Sequence, residues 1–487
     1  MKKLLLVLTL LTTVTISAQK EDLAKKYATF IDSIDLKKHL SVLASDAYEG
    51  RETGKKGQQM AATYIEQSFK EDGCSFVPSM QEFQQSFEVI ETVPGGSLKV
   101  GKNNLVFKND YVYYGARKQV SFQDLELITL AQLTLEPKEN YALIHSLKGM
   151  DIQAEVALIR KNKLKGAKVI VLITTNYEDL YEYLEHYATA KSMRLKEEIV
   201  KEELPIIIVN ATALSGAFKK SFSYLLGKGK EKKSKKGAVV SKLSGTLNLE
   251  ETPLKSSNVL AFIPGSDPIL SKEVIVITAH YDHIGIENGI VYNGADDDGT
   301  GTVALLEIAE AFMQAKKDGN APRRSILIMT VSGEEKGLLG SQYYVSHPIV
   351  SLEKTIADLN IDMIGRTDIA HESTPEEYIY IIGSNMLSTD LHTANEEANQ
   401  RYTNIKLDYT FNSKNDPNRF YYRSDHYNFA KNNIPSIFYF SGIHEDYHQP
   451  GDDIEKIDFT KVETVARLVF GTAWILANAD KRPRLDY

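Results

Sequence analysis

From Ser257 onward, short apolar runs alternate with longer segments whose apolar residues recur every three or four positions. Runs rich in β-branched residues and bounded by Gly, Asn or Asp read as buried strands, and the longer period reads as helix. The pattern predicts strands over residues 258–263, 273–279, 325–331, 355–361, 378–382 and 435–440. It predicts helices over 300–317, 338–347, 387–400, 425–431 and 459–479. Such alternation implies an α/β fold with a mixed, largely parallel central sheet flanked by helices. Upstream, residues 22–72 read as helical, with segments at 36–43 and 57–70 either side of a polar loop, 45–54, that contains Gly50 and Gly54. From about 83 to 249 the character changes. Alternating runs at 98–107 and 141–145 suggest strands, 156–164 a helix and 166–173 another strand. The chain therefore reads as one α/β domain, 19–85 plus 251–487, with a β-rich α+β domain, 86–250, inserted in it.

The length of 487 residues agrees with two or more domains. The net charge of −8 gives no reason to expect a nucleic acid or an anionic membrane as partner. A Lys-rich run at 228–236 reads as a solvated loop. Residues 1–18 read as a signal peptide: Lys2 and Lys3, then an apolar stretch from Leu4 to Ile16 too short to span a bilayer, then Ser17-Ala18-Gln19 for cleavage after Ala18. The expectation is export to the periplasm or beyond, with no stable membrane insertion. Cys74 is the single cysteine, so no internal disulfide is possible. Stability must come from core burial and bound metal.

Acids and histidines gather just after the predicted strands. His280 and Asp282 follow the run 274–279 and share one face of an extended chain. The Asp can hold one imidazole nitrogen and leave the other for a metal. Asp296-Asp297-Asp298 lies between glycines before the helix at 300, where one acid could bind metal while a neighbour caps the helix. Glu334-Glu335 follows the strand 325–331, Asp362 follows 355–361, and His448 follows 435–440. In open α/β sheets the carboxyl ends of strands are where chemistry collects. Two His and three carboxylates exceed the three or four ligands of one zinc, and they suit two metals if one carboxylate bridges them. Imidazole and carboxylate ligands favour zinc over Mg or Ca.

Together, His280-Tyr281-Asp282, Gly294-Ala295-Asp296-Asp297-Asp298-Gly299, Gly333-Glu334-Glu335-Lys336-Gly337, Asn360-Ile361-Asp362-Met363 and Tyr447-His448-Gln449-Pro450 resemble the M28 family of zinc metallopeptidases. The resemblance covers most of 36–72 and 255–487. It implies a zinc-exopeptidase fold with two Zn²⁺ per chain. One would be held by His280 and Asp362, the other by Glu335 and His448, with Asp297 bridging. Glu334 would be the general base, and Asp282 would orient His280. Ser424-Asp425-His426 also looks like a family segment, and Tyr421 matches a position that helps stabilise the oxyanion in some members. The loop 45–54 is given no role beyond packing or rimming the cleft. The insertion resembles a protease-associated (PA) domain, best over Lys165–Ile170. The implied function is an exported aminopeptidase acting on peptides. A carboxypeptidase or dipeptidase is the alternative, with Arg366 and Arg423 as candidates for a substrate carboxylate. A single-zinc glutaminyl cyclase or a non-catalytic binding module would lack part of this ligand set.

Overall fold

A computed structural model describes residues 23–486 apart from 117, 131–138, 148, 150, 161–163, 200–203, 215–216, 219–240, 249 and 375–376. The expected signal peptide and the Lys-rich run lie outside the described residues. The chain divides into two compact units, Met1–Glu88 with Leu254–Tyr487, and Val89–Pro253.

The first unit is built on a sheet of strands β1 (Gln84–Val93), β2 (Glu250–Ile263), β3 (Val274–His280), β4 (Ser325–Val331), β5 (Thr355–Ile361), β6 (Tyr378–Ile382), β7 (Lys406–Asp408) and β8 (Ser436–Phe440). Their order is β7-β6-β8-β5-β3-β4-β2-β1. Strands β4, β3, β5 and β8 are mutually parallel. β2 and β6 join antiparallel on either side of them. The four parallel strands therefore end on one edge, where the acids and histidines follow.

These strands are apolar throughout because helices cover both faces. Along β3, Ile275, Ile277 and Ala279 enter one core, together with residues of α1 (Ser33–Leu43), α2 (Lys56–Asp72) and α3 (Gly301–Lys317). The alternate residues Val274 and Val276 enter another, with Tyr344 of α4 (Leu339–Ser346) and Phe429 of α6 (His426–Ala430). Between them, α5 (Thr389–Ala398) supplies Leu391 and Ala394 to the first core, and so does α7 (Phe459–Asn478), whose Trp474 lies in it beside Phe312 of α3.

The second unit has its own eight-stranded sheet. Its centre is four parallel strands, Val120–Ile128, Tyr141–Ser146, Ala167–Thr174 and Ile206–Asn210. Two separate apolar clusters, one containing Val169, Val171 and Ile207 and the other Ile170, Leu172 and Ile208, lie on its opposite faces. The helix expected at 156–164 runs instead over Ile152–Arg160. Its start is set by Asp151, whose carboxylate accepts the Ala154 N–H at 2.8 Å. No described helix is long and apolar enough to cross a membrane.

Candidate metal centre

His280 is the last residue of β3 and is 1% exposed. Its Nδ1 lies 3.0 Å from the Asp282 carbonyl oxygen. A carbonyl can only accept, so Nδ1 carries the proton and Nε2 is left as the free donor atom. Nε2 faces acids: Asp297 Oδ1 at 3.3 Å, Asp362 Oδ1 at 3.6 Å and Glu334 Oε2 at 3.9 Å. The sequence suggested that the Asp282 side chain orients His280. In the fold the Asp282 backbone takes that bond, and its carboxylate stands 3.8 Å from the ring. The carboxylate instead accepts the Thr53 hydroxyl at 2.6 Å and the Glu334 N–H at 3.2 Å. Asp282 thus links the histidine to the backbone of Glu334.

The acid triplet is divided by its surroundings. The Asp298 carboxylate accepts three backbone N–H groups, from His280, Gly301 and Met363, at 2.9–3.1 Å. Asp296 accepts from Gly365 N–H at 2.6 Å and the Thr300 hydroxyl at 3.0 Å, and its other oxygen lies 3.3 Å from His444 Nε2. Asp297 turns its carboxylate to His280, His283 and His448, with Oδ2 3.1 Å from His448 Nε2. Its own N–H is held by Asp452 at 3.1 Å. Mutual repulsion of three adjacent acids is thereby relieved by backbone donors on two of them.

His448 Nε2 also lies 3.1 Å from Glu335 Oε2. Opposite, His283 places Nδ1 2.8 Å from Glu335 Oε1 and 3.9 Å from Asp297 Oδ2. His283 is fully buried. It packs where a Cβ on Gly294 would come within 2.4 Å of its ring, at a φ of +54°. Sequence reasoning gave His283 no role, although its spacing three residues after His280 was the available signal. Two sets of potential ligand atoms lie within 4.8 Å of one another: His280, Asp298 and Asp362, and His283, Asp297 and Glu335. In the first set Asp297 is the better candidate than Asp298. Asp298 is already saturated with N–H donors, whereas Asp297 Oδ2 has none.

The remaining predicted residues fall as follows. Asp362 Oδ2 accepts the Ser424 hydroxyl at 2.6 Å, and Ser424 accepts from Asn360 at 2.8 Å, so the Ser424-Asp425-His426 segment supports Asp362. Tyr421 is buried in an aromatic cluster with Tyr422, His426 and Tyr427, its ring filling the space beside Gly383. It does not line the cleft. That cleft, about 350 Å³ of open space, is bounded by Asp297, Glu334, Asp362, His448, Tyr447 and Arg423 and by an apolar wall of Met363, Phe420, Phe438, Phe440 and Ile443. Arg366 is tied to Asp446 at 3.0 Å.

The acids and histidines of the cluster shift one another's titration. Burial alone would lower the pKa of His280, but Glu334 and Asp362 lift it well above the usual imidazole value. Burial would likewise lower His448, yet Asp297 and Glu335 push it up to about 10. Burial raises Glu334 well above the usual carboxyl range, with Asp362 and Glu335 adding to it against His280. Two oxygens and three ring nitrogens in this pocket are buried without a hydrogen bond: Asp297 Oδ2, Glu335 Oε1, His280 Nε2 and both nitrogens of His283. Buried polar atoms without partners are costly. Their oxygen and imidazole character fits Zn²⁺, and metal taken up here would displace protons from the histidines.

Residues 258–473 match the family model of peptidase family M28. The chain is 30% identical over 233 residues to a protein named as a probable leucine aminopeptidase from Arthroderma otae, covering 46% of this chain and 59% of the relative. It is 26% identical over 257 residues to an aminopeptidase from Bacillus subtilis, covering 52% of each. The chain thus spans little more than half the length of these curated relatives. In three dimensions it resembles an aminopeptidase from Aneurinibacillus sp. strain AM-1, with a TM-score of 0.55 and 18% identity over 95% of this chain and 96% of that one. It also resembles a zinc aminopeptidase from Bacillus subtilis, with a TM-score of 0.53 and 18% identity over 93% and 96%. At that identity the likeness speaks for the fold.

Proposed function

We propose that this chain, whose residues 258–473 match the family model of peptidase family M28, is an exported zinc aminopeptidase of that family that removes N-terminal residues from peptides. The observation that carries the reading is the gathering of unpartnered buried nitrogens and oxygens in two adjoining groups, one of them beside Glu334. His280 and Asp362 would hold one Zn²⁺, Glu335 and His448 the other, and Asp297 would serve both. When bound, the metal would make hydroxide available at neutral pH and polarise the scissile carbonyl.

The protein's own groups do the rest. The Glu334 carboxylate takes a proton from the attacking water and returns it to the leaving amine. Asp282 fixes the Glu334 backbone on one side and the His280 ring on the other. Ser424 keeps Asp362 in place. The apolar wall excludes water and favours an apolar side chain next to the scissile bond. Five ligands around a shared Asp297 support two metals over the single zinc of a cyclase. Of the two arginines that a carboxypeptidase could use, Arg366 is already paired with Asp446. The insertion, residues 86–250, fits a PA-like domain.

Glu334→Gln tests the assignment. The variant should keep its zinc and lose turnover of aminoacyl substrates by about 10²–10⁴-fold. Undiminished turnover at full zinc content would remove Glu334 as the base.

A further inference from the structure

Arg423 stands at the rim of this cleft, on the side of the apolar wall. Its Nη2 donates to the Tyr447 hydroxyl at 3.2 Å, and its guanidinium lies 5.0 Å from the centre of the Phe420 ring. Two contacts thus aim the side chain. Tyr447 in turn stacks on His448, with ring centres 3.9 Å apart. Neighbouring cations are spoken for: Arg366 and Lys456 both pair with Asp446. Among the described residues, no carboxylate pairs with Arg423. A guanidinium presents a planar fork that matches a carboxylate, and at the mouth of an apolar pocket it selects for one.

We propose that Arg423 is a specificity residue that binds a carboxylate of the substrate. This deepens the peptidase reading and rests on it. The carboxylate has two sources, the free C-terminus of a dipeptide or an acidic side chain near the scissile bond. Neither requires any change in the chemistry at Glu334.

Two matched substrate pairs separate the sources: Leu-Gly against Leu-Gly amide, and Glu-Gly amide against Gln-Gly amide. For each pair the ratio of kcat/KM values is measured in the wild type, Arg423→Gln and Arg423→Lys. The wild type should favour the carboxylate member of one pair, and Arg423→Gln should cut that ratio about tenfold, the order expected of one partly exposed charge-assisted bond. Arg423→Lys should retain part of the preference and lose it with added salt. A binding measurement keeps the two readings apart. Affinities of zinc-loaded Glu334→Gln for both pairs are compared with those of the Glu334→Gln, Arg423→Gln double variant, by calorimetry. Discrimination that disappears with Arg423 supports the inference even if no peptide is turned over, a result that would instead sink the peptidase reading. Equal ratios and equal affinities with and without Arg423, in both pairs, would overturn it.

Discussion

Arg51 offers the sharpest energetic test of how this site is held. It is 1% exposed and donates four hydrogen bonds to backbone carbonyls. Nε reaches Tyr281 at 2.8 Å, Nη1 reaches Leu43 at 2.8 Å and Asn293 at 2.6 Å, and Nη2 reaches Gly294 at 2.9 Å. One side chain therefore ties the end of α1 to the turn after His280 and to the turn before the acid triplet. Burial lowers its pKa, while Asp452, Asp282, Asp297 and Asp298 hold it charged. Arg51→Met keeps much of the volume but leaves the Leu43, Tyr281 and Asn293 carbonyls without that donor, the Gly294 carbonyl with only the Gly299 N–H, and four nearby acids without their cation. Breaking a buried charged network of this kind costs about 3–5 kcal/mol. For a unit of this size that is a fall in Tm on the order of 10 °C. Melting should be followed with chelator present, so that metal release does not contribute. Arg51→Lys keeps the charge but not the fork, and should fall between the two. A melting point for Arg51→Met within about 2 °C of the wild type would show that the guanidinium is not a brace, since so small a shift is about 1 kcal/mol or less.

Three further outcomes follow from individual groups. On the proposed arrangement, in which Asp297 would serve both ions, Asp297→Ala should lower zinc content from about two per chain to below one; full occupancy by metal analysis would show that it bridges nothing. Glu307 on α3 is 1% exposed, and burial, with Glu310, Asp35 and Asp32 adding to it, pushes its pKa up to about 9. The folded chain then keeps a proton that the unfolded chain releases above 4.5, so this group costs stability progressively as pH rises from 4.5 to about 9. Glu307→Gln should therefore be more stable than the wild type by roughly 1–3 kcal/mol near pH 8.5 and close to it near pH 5; denaturant titrations showing loss at both pH values would refute this. Cys74 is 9% exposed, and burial followed by Asp72 pushes its thiol up to about 12. It should be silent to a thiol reagent in the folded protein and react once per chain in denaturant.

The parallel strands were legible because both of their faces are covered. Val274–His280, Ser325–Val331 and Ser436–Phe440 are apolar almost without interruption, and a polar residue, His280, Ser332 or Ser441, marks where each run ends. Lys406–Asp408 escaped notice, being three residues with charged ends and one parallel neighbour, β6. The candidate ligands could be read from the strand ends that carry them. What could not be read was which atom of Asp282 meets His280, or which acid of the triplet has its oxygens filled. Those depend on N–H groups of Met363 and Glu334 that only the fold brings near. Arg51 was hidden for the same reason. Its partners lie 8 to 243 residues away along the chain.

That separation has a consequence during synthesis. At about 5–20 residues per second, the carbonyls of Tyr281, Asn293 and Gly294 leave the ribosome some 10–50 s after Arg51. Through this interval α1 and α2 have no sheet to cover, and their apolar faces wait in solution. The insertion meanwhile contains every strand of its own eight-stranded sheet and can close first. Its closure shortens the open loop between Phe83 and Leu260, whose backbones are hydrogen-bonded at 2.8 Å in the finished fold. The middle of the chain can thus fold before its ends meet, and the interval before they do is when this chain most needs protection from its neighbours.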